Sequence, residues 1–350
     1  MKALTSSQNC FFKPMNLSRD ESPTIYDVAR LSGLSIATVS RVLNSPEQVT
    51  PETRDKVLKV IDELGYVPRA EARARAIKGT RRIGVLTPFF TSPSFVERLR
   101  GIAYILGKTN FELIVYTVDS SSRLSAYLTS LPLTGSLDGL IILSLPFTEA
   151  DAKRLVEHNV KTVVIEYEQN YFSSVEIDNK GGGEMAAKYL LDKGHKRMGF
   201  IGEIHPPEYA IRPAPARLNG FREALAQENI QIPDDYILSS SIDQESTRMA
   251  ASQLLKLSNP PTAIFVAADF QAMALMNVAN EMGLKIPDDL AVLGFDGLET
   301  SEFMGLTTIN QSLDDSGRIA AELLLTQLAD TSRSVQHVKL PLTLVERDTV

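Results

Sequence analysis

Residues 24–44 read TIYDVARLSGLSIATVSRVLN, and this stretch decides the fold of the amino-terminal part of the chain. Thr24 precedes apolar residues at helical spacing, and Asp27 follows it by three residues, as in a capping box. Gly33 then breaks the first helix, and Ser35 is placed to cap a second one. Two short helices joined by a glycine turn predict a helix-turn-helix, whose second helix can enter the major groove of DNA.

A third helix follows and completes a small bundle. Thr50 and Pro51 pair a cap with a first-turn proline, and apolar residues then recur at helical spacing until Gly65. Three-helix bundles that do not bind DNA have the same spacing, so the spacing alone leaves that alternative open.

The composition is that of a folded protein with more than one domain. The chain has 350 residues, of which 43 % are hydrophobic, and a domain usually takes ~100–200 residues. The single cysteine, Cys10, excludes a disulfide framework and a cysteine-rich metal site. No apolar run approaches the ~18 residues of a membrane helix, and residues 1–22 carry no export signal. We therefore expect a cytoplasmic protein with no membrane partner and a disordered extension over 1–22.

The net charge of −7 conceals an uneven distribution. Residues 23–82 have 11 Lys and Arg against 7 Asp and Glu, whereas residues 83–350 have 22 against 34. A small basic module joined to a large acidic body is typical of a DNA reader with a separate sensing domain. A module with a solvated basic tail is the alternative interpretation.

From residue 83 onward, short β-branched runs alternate with amphipathic stretches. Runs such as 83–86, 140–143 and 263–266 are continuously apolar, which is typical of parallel strands buried on both faces. Residues 83–350 hold more such runs than one sheet carries comfortably. We therefore predict two doubly wound α/β lobes with a ligand cleft between them.

The residues quoted above, together with VTPETR at 49–54 and GYVP at 65–68, closely resemble the DNA-binding signature of the LacI/GalR family of bacterial transcriptional regulators. The resemblance extends over roughly residues 24–350. It implies an α/β protein with an amino-terminal three-helix DNA-binding domain of the helix-turn-helix type. The resemblance also implies that a two-lobed, periplasmic-binding-protein-like, doubly wound effector domain follows. We predict a DNA-binding domain over 23–67, a hinge over 68–82, and a domain for effector binding and dimerisation over 83–350. Within the last domain, we expect one lobe at about 83–180 and 310–335 and the other at about 181–309 and 336–350.

The resemblance also assigns roles within the DNA reader. Ile36 and Ala37 would face base edges, where their apolar side chains can touch thymine methyl groups. Arg41 is able to make a bidentate guanine contact. Core packing is the alternative for Ile36. Ser35 belongs to the expected DNA-binding set, and Gln48 is expected to make a further base contact. Contacts with phosphates, which set the register of the protein on the DNA, are expected from Tyr26, Thr38, Ser40, Asn44 and Tyr66.

The hinge departs from the family pattern. The family has an asparagine and, six residues later, a leucine that wedges into the minor groove, whereas this chain has Arg69 and Arg75 there, with Arg73 between them. An arginine cannot replace an apolar wedge between base steps, but it can lie in a narrow, electronegative minor groove. We therefore expect a less kinked operator, with Ile77 as a displaced wedge as the alternative.

Several residues match the effector site of the family. Arg217 corresponds to the arginine that grips hydroxyl or carboxylate groups, and Asp296 ends an apolar strand as an acceptor-only carboxylate. Asp269 matches an acidic ligand, with capping of the helix that starts near Phe270 as its alternative role. An arginine, two aspartates and aromatic rings can hold a polyol. The full expected set is Phe90, Ser92, Phe95, Arg217, Asp269, Phe270 and Asp296.

These observations favour a homodimeric regulator, of the repressor type, that binds double-stranded operator DNA and responds to a small effector, most simply a sugar. A purine- or nucleoside-responsive corepressor system of the same family is the alternative. The four histidines lack metal-ligand spacing and no Gly-x-Ser-x-Gly elbow is present, so we expect neither an enzyme nor a cofactor or metal. The glycine run at 181–183 lacks the spacing of a phosphate loop, and Glu166-Tyr167 replaces the Asp-Arg that the family commonly has.

Overall fold

The computed structural model forms two compact units, Met1–Lys78 and Gly79–Val350, which are treated separately below. The residues that it describes are 23–44, 48–64, 66, 80–167 and 169–350. The predictions for Arg69, Arg73, Arg75 and Ile77 therefore lie outside the described residues. Within the described ranges, no helix has both the length and the apolar character needed to cross a membrane.

The first unit contains the three predicted helices, α1 (Ile25–Ser32), α2 (Ile36–Asn44) and α3 (Pro51–Leu64). The Asp27 carboxylate accepts hydrogen bonds from the Thr24 backbone N–H at 3.0 Å and the Thr24 hydroxyl at 2.7 Å, which anchors the start of α1. Gly33 ends α1 with φ +64°, a conformation that glycine adopts without strain. The helix-turn-helix is therefore confirmed, together with the local signals that predicted it.

The first lobe of the second unit is an open sheet with helices on both faces. Its strands are β1 (Arg82–Pro88), β2 (Glu112–Val118), β3 (Gly139–Leu143), β4 (Lys161–Ile165), β5 (Ser173–Ile177) and β11 (His337–Leu340). They are all parallel, in the order β11-β5-β4-β3-β1-β2. Its helices are α4 (Pro93–Leu106), α5 (Ser121–Thr134), α6 (Glu149–Glu157) and α12 (Leu313–Ala329).

The second lobe repeats this plan. Its strands are β6 (Met198–Gly202), β7 (Ile237–Ser239), β8 (Ala263–Val266), β9 (Ala291–Asp296), β10 (Thr308–Asn310) and β12 (Thr343–Val345). They lie in the order β12-β10-β9-β8-β6-β7, and only β12 is antiparallel to its neighbour. Its helices are α7 (Asn179–Asp192), α8 (Ala214–Gln227), α9 (Gln244–Leu255), α10 (Asp269–Glu281) and α11 (Glu299–Phe303). The prediction of two doubly wound lobes is confirmed.

The last crossing between the lobes falls later than the predicted boundary at 335/336. β11 pairs in parallel with β5 in the first lobe, and the chain reaches the second lobe only at β12. The physical reason is that pairing with β5, which is distant in the sequence, places β11 in the first lobe. The polar residues around His337 carry no local signal of that pairing.

The glycine run at 181–183 serves helix packing. A Cβ atom on Gly183 would lie 1.9 Å from the carbonyl oxygen of Arg217, and one on Gly220 would lie 1.9 Å from that of Lys180. Only glycine therefore allows α7 and α8 to approach so closely. Because Arg217 lies on α8, this contact also fixes the position of its backbone.

Candidate functional site

A polar cleft lies between the two lobes of the second unit. Ser92 and Phe95 of the first lobe and Arg217 and Asp296 of the second line it, together with Gln311 from a segment that crosses between the lobes. The cavity is about 580 Å³, counting its open mouth. Strands of both lobes end here with their carboxyl termini, which is where open α/β sheets bind ligands.

Arg217 is held rigidly in this cleft. Its side chain is 2 % exposed, Nε donates to Asn179 Oδ1 at 2.9 Å, and Nη1 donates to the carbonyl oxygen of Ala267 at 2.6 Å. The guanidinium lies 3.5 Å from the ring centroid of Phe295. Among the described residues Nη2 has no hydrogen-bond partner. Burial lowers the pKa of Arg217 to about 10, so the group stays charged at neutral pH and can donate to an oxygen-bearing ligand.

Asp296 lies opposite this guanidinium at the end of β9. Its φ of +133° is a conformation that residues other than glycine rarely adopt, and such strain is concentrated at functional sites. Oδ1 accepts from Gln311 Nε2 at 2.5 Å and lies 3.8 Å from Arg217 Nη1. Burial raises the pKa of Asp296 to about 7, although Arg217 opposes that shift. The carboxyl therefore exchanges its proton near neutral pH.

The raised pKa of Asp296 should make the stability of the fold depend on pH. An unfolded aspartate has a pKa of about 3.9, so the folded chain holds this proton more tightly, and the stability that the proton contributes is lost as pH rises towards 7. Asp296→Asn has no such proton to lose. We expect the melting temperature of Asp296→Asn, relative to that of the unsubstituted chain, to rise between pH 5 and pH 8 in calorimetry. A difference that stays constant over this range would contradict the buried, raised pKa.

A second buried ion pair was not predicted from the sequence. Arg98 on α4 pairs with Glu166, and their side chains are 3 % and 8 % exposed. The hydroxyl of Ser144 donates to the same carboxylate. Burial would raise the pKa of Glu166, but Arg98 and Ser144 together hold it below its usual value. Glu166, whose position departed from the family pattern, thus forms part of the first-lobe wall.

Gln311 connects this pair to Asp296. Its Oε1 accepts from Arg98 Nη2 at 3.4 Å, while its Nε2 donates to Asp296. A continuous chain of polar contacts therefore runs from Glu166 in the first lobe to Asp296 in the second.

A third ion pair joins Arg212 and Glu203 of the second lobe. Arg212 Nε lies 2.5 Å from Glu203 Oε2, and the side chains are 5 % and 11 % exposed. The guanidinium lies 3.9 Å from the ring centroid of Phe89, which belongs to the first lobe. Burial lowers the pKa of Arg212 and raises that of Glu203.

The charged groups of the cleft lining balance one another. Three guanidinium groups face three carboxyl groups, namely Arg98, Arg212 and Arg217 and Glu166, Glu203 and Asp296. Above pH 7, where Asp296 is mostly ionised, such a cleft offers donors and acceptors without an excess of either charge. This balance suits a neutral ligand better than an anion.

Five of the seven predicted effector residues line the cleft: Ser92, Phe95, Arg217, Phe270 and Asp296. Phe90 does not; its side chain is 44 % exposed in the turn after β1. Asp269 also lies outside the lining, because the fold uses both of its oxygens. Oδ2 accepts from the backbone N–H groups of Gly297 and Leu298 and from the hydroxyl of Ser301, and Oδ1 accepts from the hydroxyl of Thr308. The expectation of an effector ligand at Asp269 is corrected to a structural role that fixes the loop after β9.

The first unit presents the start of α2 at its surface. Ile36 is 42 % exposed and Ala37 is exposed, so core packing does not account for Ile36. The hydroxyl of Ser35 accepts from the Thr38 backbone N–H at 3.1 Å and caps the helix. Arg41 is exposed one turn further along. These side chains form a mixed apolar and basic surface of the kind that reads the major groove.

The remaining predicted DNA contacts divide between surface and core. Tyr26 is 68 % exposed and Gln48 is exposed. Tyr66, in contrast, is 8 % exposed and packs with Val28, Val39 and Val57. Packing therefore accounts for the ring of Tyr66, and its phosphate contact stays a prediction. Its aromatic ring fills the small core, which has few other large side chains.

Comparisons with known proteins match parts of both units to known families. Residues 24–69 match the family described as bacterial regulatory proteins, lacI family, and residues 187–350 match the periplasmic binding protein-like domain. The chain is 34 % identical over 323 residues to catabolite control protein A of Priestia megaterium, covering 91 % of this chain and 96 % of that one. It is 31 % identical over 332 residues to the HTH-type transcriptional repressor PurR of Vibrio campbellii, covering 93 % and 98 %.

A solved structure gives the same result. The transcriptional regulator CelR in complex with cellobiose superposes with a TM-score of 0.67 at 28 % identity, covering 94 % of this chain and all of that one. A helix-turn-helix reader followed by a two-lobed cleft defines an effector-binding transcriptional regulator. The chain belongs to the LacI family of bacterial regulatory proteins.

Proposed function

We propose that this chain is a homodimeric repressor whose affinity for a pseudo-palindromic operator is set by a neutral sugar bound in the cleft. The observation that carries the proposal is the lining of three guanidinium and three carboxyl groups. In it, Arg217 Nη2 has no hydrogen-bond partner among the residues that the structure describes, and Asp296 Oδ1 lies 3.8 Å from Arg217 Nη1. A donor and an acceptor placed together suit the hydroxyl groups of a sugar. Phe95 and Phe270, on opposite lobes, offer apolar surface for its C–H faces.

The proposed control uses the contacts between the lobes. A sugar that bridges Arg217 and the Arg98–Gln311 pair favours one relative placement of the lobes. That preference reaches the DNA reader through the segment that joins the two units. Coupling free energies of this kind are roughly 1–3 kcal/mol, which changes operator affinity about five- to 150-fold. Two-fold symmetry of the dimer would present two α2 helices to successive major grooves.

The name of one relative supports the sugar, because CelR was solved with cellobiose. A flat nucleobase is the second candidate effector, since Phe95 and Phe270 line the cleft from opposite lobes and an arginine–aspartate edge can read a base. Such a ligand would act as a corepressor and increase operator affinity.

A thermal-shift screen tests the proposal. The full chain is scanned with neutral sugars, purines and nucleosides, and a ligand at about 100 times its dissociation constant should stabilise the fold by about 2.7 kcal/mol. We expect a stabilising neutral sugar and no comparable shift with the nucleobases. Stabilisation by purines alone would replace the sugar with the second candidate, and no shift with any of these compounds would overturn the effector proposal.

A further inference from the structure

The second unit begins with a backbone kink that one aspartate holds in place. Arg81 has φ +55°, in the left-handed region that residues other than glycine rarely adopt. Thr80 and Arg82, on either side of it, are both bound by Asp138, which directly precedes β3. A strained conformation of this kind persists only where its surroundings fix it. Asp138 therefore sets the direction in which the chain enters β1.

Four hydrogen bonds join Asp138 to residues 80–82, and we call this arrangement the entry clamp. The carboxylate accepts from the Thr80 backbone N–H at 2.8 Å, from the Thr80 hydroxyl at 3.1 Å and from the Arg82 backbone N–H at 3.2 Å. The backbone N–H of Asp138 donates to the carbonyl oxygen of Arg82 at 2.9 Å. The clamp thus ties Thr80, the first described residue of the second unit, to the start of β3.

The other end of β3 lies at the effector cleft. Ser144 directly follows the strand, and its hydroxyl donates to Glu166, which lines the cleft. Its carbonyl oxygen accepts from the backbone N–H of Ile211 at 2.8 Å, and Ile211 belongs to the second lobe and also lines the cleft. Contacts at this end of β3 therefore respond to how the two lobes are placed.

The strand between these two ends is suited to transmit a displacement. β3 is buried along its whole length and pairs with β1 on one side and β4 on the other. Close-packed interiors are hardly compressible, and a strand held on both sides moves as one body. A displacement of Ser144 therefore reaches Asp138, and through the entry clamp it reaches Thr80.

We propose that Asp138 is a positioning residue for allosteric control, which passes the effector-dependent placement of the lobes to the chain that precedes Thr80 and leads to the DNA reader. The inference rests on the proposed function, because it needs an effector that changes the placement of the lobes. It assigns part of the regulation to a residue outside the cleft lining. Without the carboxylate, Arg81 can leave its left-handed conformation, and the direction of the preceding chain no longer follows β3.

Operator titrations of the full chain test the role of Asp138. The probe is the neutral sugar that gives the largest thermal shift, and the readout is the ratio of the operator dissociation constants with and without it. We expect a ratio of about fivefold or more in the unsubstituted chain. Asp138→Ala removes the three carboxylate bonds, so its two operator dissociation constants should agree within about twofold. Its sugar affinity in calorimetry should stay within about twofold of the unsubstituted value. Asp138→Asn keeps one acceptor oxygen and should give an intermediate ratio.

Asp151→Ala is the matched control. Asp151 lies in the same lobe, and its carboxylate also accepts from the backbone N–H and the hydroxyl of a threonine, Thr148, at 3.0 Å and 2.7 Å. These bonds hold the start of α6 and not the entry to β1. We therefore expect Asp151→Ala to keep the full ratio, even where its melting temperature falls as far as that of Asp138→Ala.

The outcomes separate this inference from the proposed function. An unreduced ratio in Asp138→Ala overturns the inference and leaves the sugar-controlled repressor standing. A ratio that is lost together with sugar affinity, or lost equally in Asp151→Ala, also overturns it, because Asp138 would then only support the fold. If Asp138→Ala does not fold, an unreduced ratio in Asp138→Asn overturns it instead. If no sugar changes the operator affinity of the unsubstituted chain, the proposed function fails and the inference fails with it.

Discussion

Asp296→Asn will lower the affinity of the cleft for its effector on the order of a hundredfold, because a hydrogen bond to a charged acceptor contributes about 1.5–3 kcal/mol. Asparagine has nearly the same shape as aspartate, so Gln311 and Arg217 keep a neighbour of similar size. The loss should therefore come from the changed acceptor and not from a cavity. The loss of affinity is measured by calorimetric titration with the sugar found by thermal shift. The titration is made at pH 8, where the carboxyl of Asp296 in the unsubstituted chain is mostly ionised.

The same variant should bind operator DNA within about twofold of the unsubstituted chain when no effector is present, because Asp296 lies in the second unit and the reader in the first. Asp288→Asn, at an exposed carboxylate just before β9, is the matched control and should change neither affinity. Loss of operator binding by Asp296→Asn with its fold intact would count against an effector role. An unchanged sugar affinity would remove Asp296 from the site.

Arg41→Ala will cost about 1–3 kcal/mol of operator affinity and relax the preference at one base pair in each half-site. The exposed Arg41 is the side chain on α2 that can make a bidentate contact with guanine O6 and N7. Selection from a randomised DNA library, followed by anisotropy titrations with single-position variants of the selected site, measures both effects.

Arg30→Ala provides the control for charge. Arg30 lies on α1 of the same unit, is 57 % exposed and pairs with Asp27 at 2.7 Å. Its loss removes one positive charge from the reader without touching α2, so we expect a small reduction that is uniform over sequences. If Arg41→Ala behaves in the same uniform way, Arg41 contacts phosphate and does not read a base.

Local sequence signals predicted the reader well. A cap at Ser35, a break at Gly33 and apolar residues at helical spacing are all short-range features, and the helices begin and end where these features place them. The buried strands of both lobes were predicted equally well, because short, continuously apolar runs are typical of strands buried on both faces. The place of β11 in the first lobe was not predicted, since its alternating residues form a strand there only through pairing with β5.

The cleft was only partly predictable for the same reason. Arg217 and Asp296 lie next to recognisable strand ends and family motifs, whereas Arg98 occurs on an amphipathic helix whose arginines usually face solvent. Its burial becomes visible only when Glu166 and Gln311 are brought from distant parts of the chain. Asp269 shows the opposite error. A motif position suggested a ligand, but four protein donors already satisfy its oxygens.

Operator affinity, measured by fluorescence anisotropy with and without the saturating sugar, tests most directly whether the cleft controls DNA binding. The titration uses the full chain and the operator selected from the DNA library. We predict that the sugar changes the dissociation constant by about fivefold or more, and that Asp296→Asn shows no such change at the same sugar concentration. Identical operator affinity with and without a sugar that demonstrably occupies the cleft would contradict the coupling between the two units.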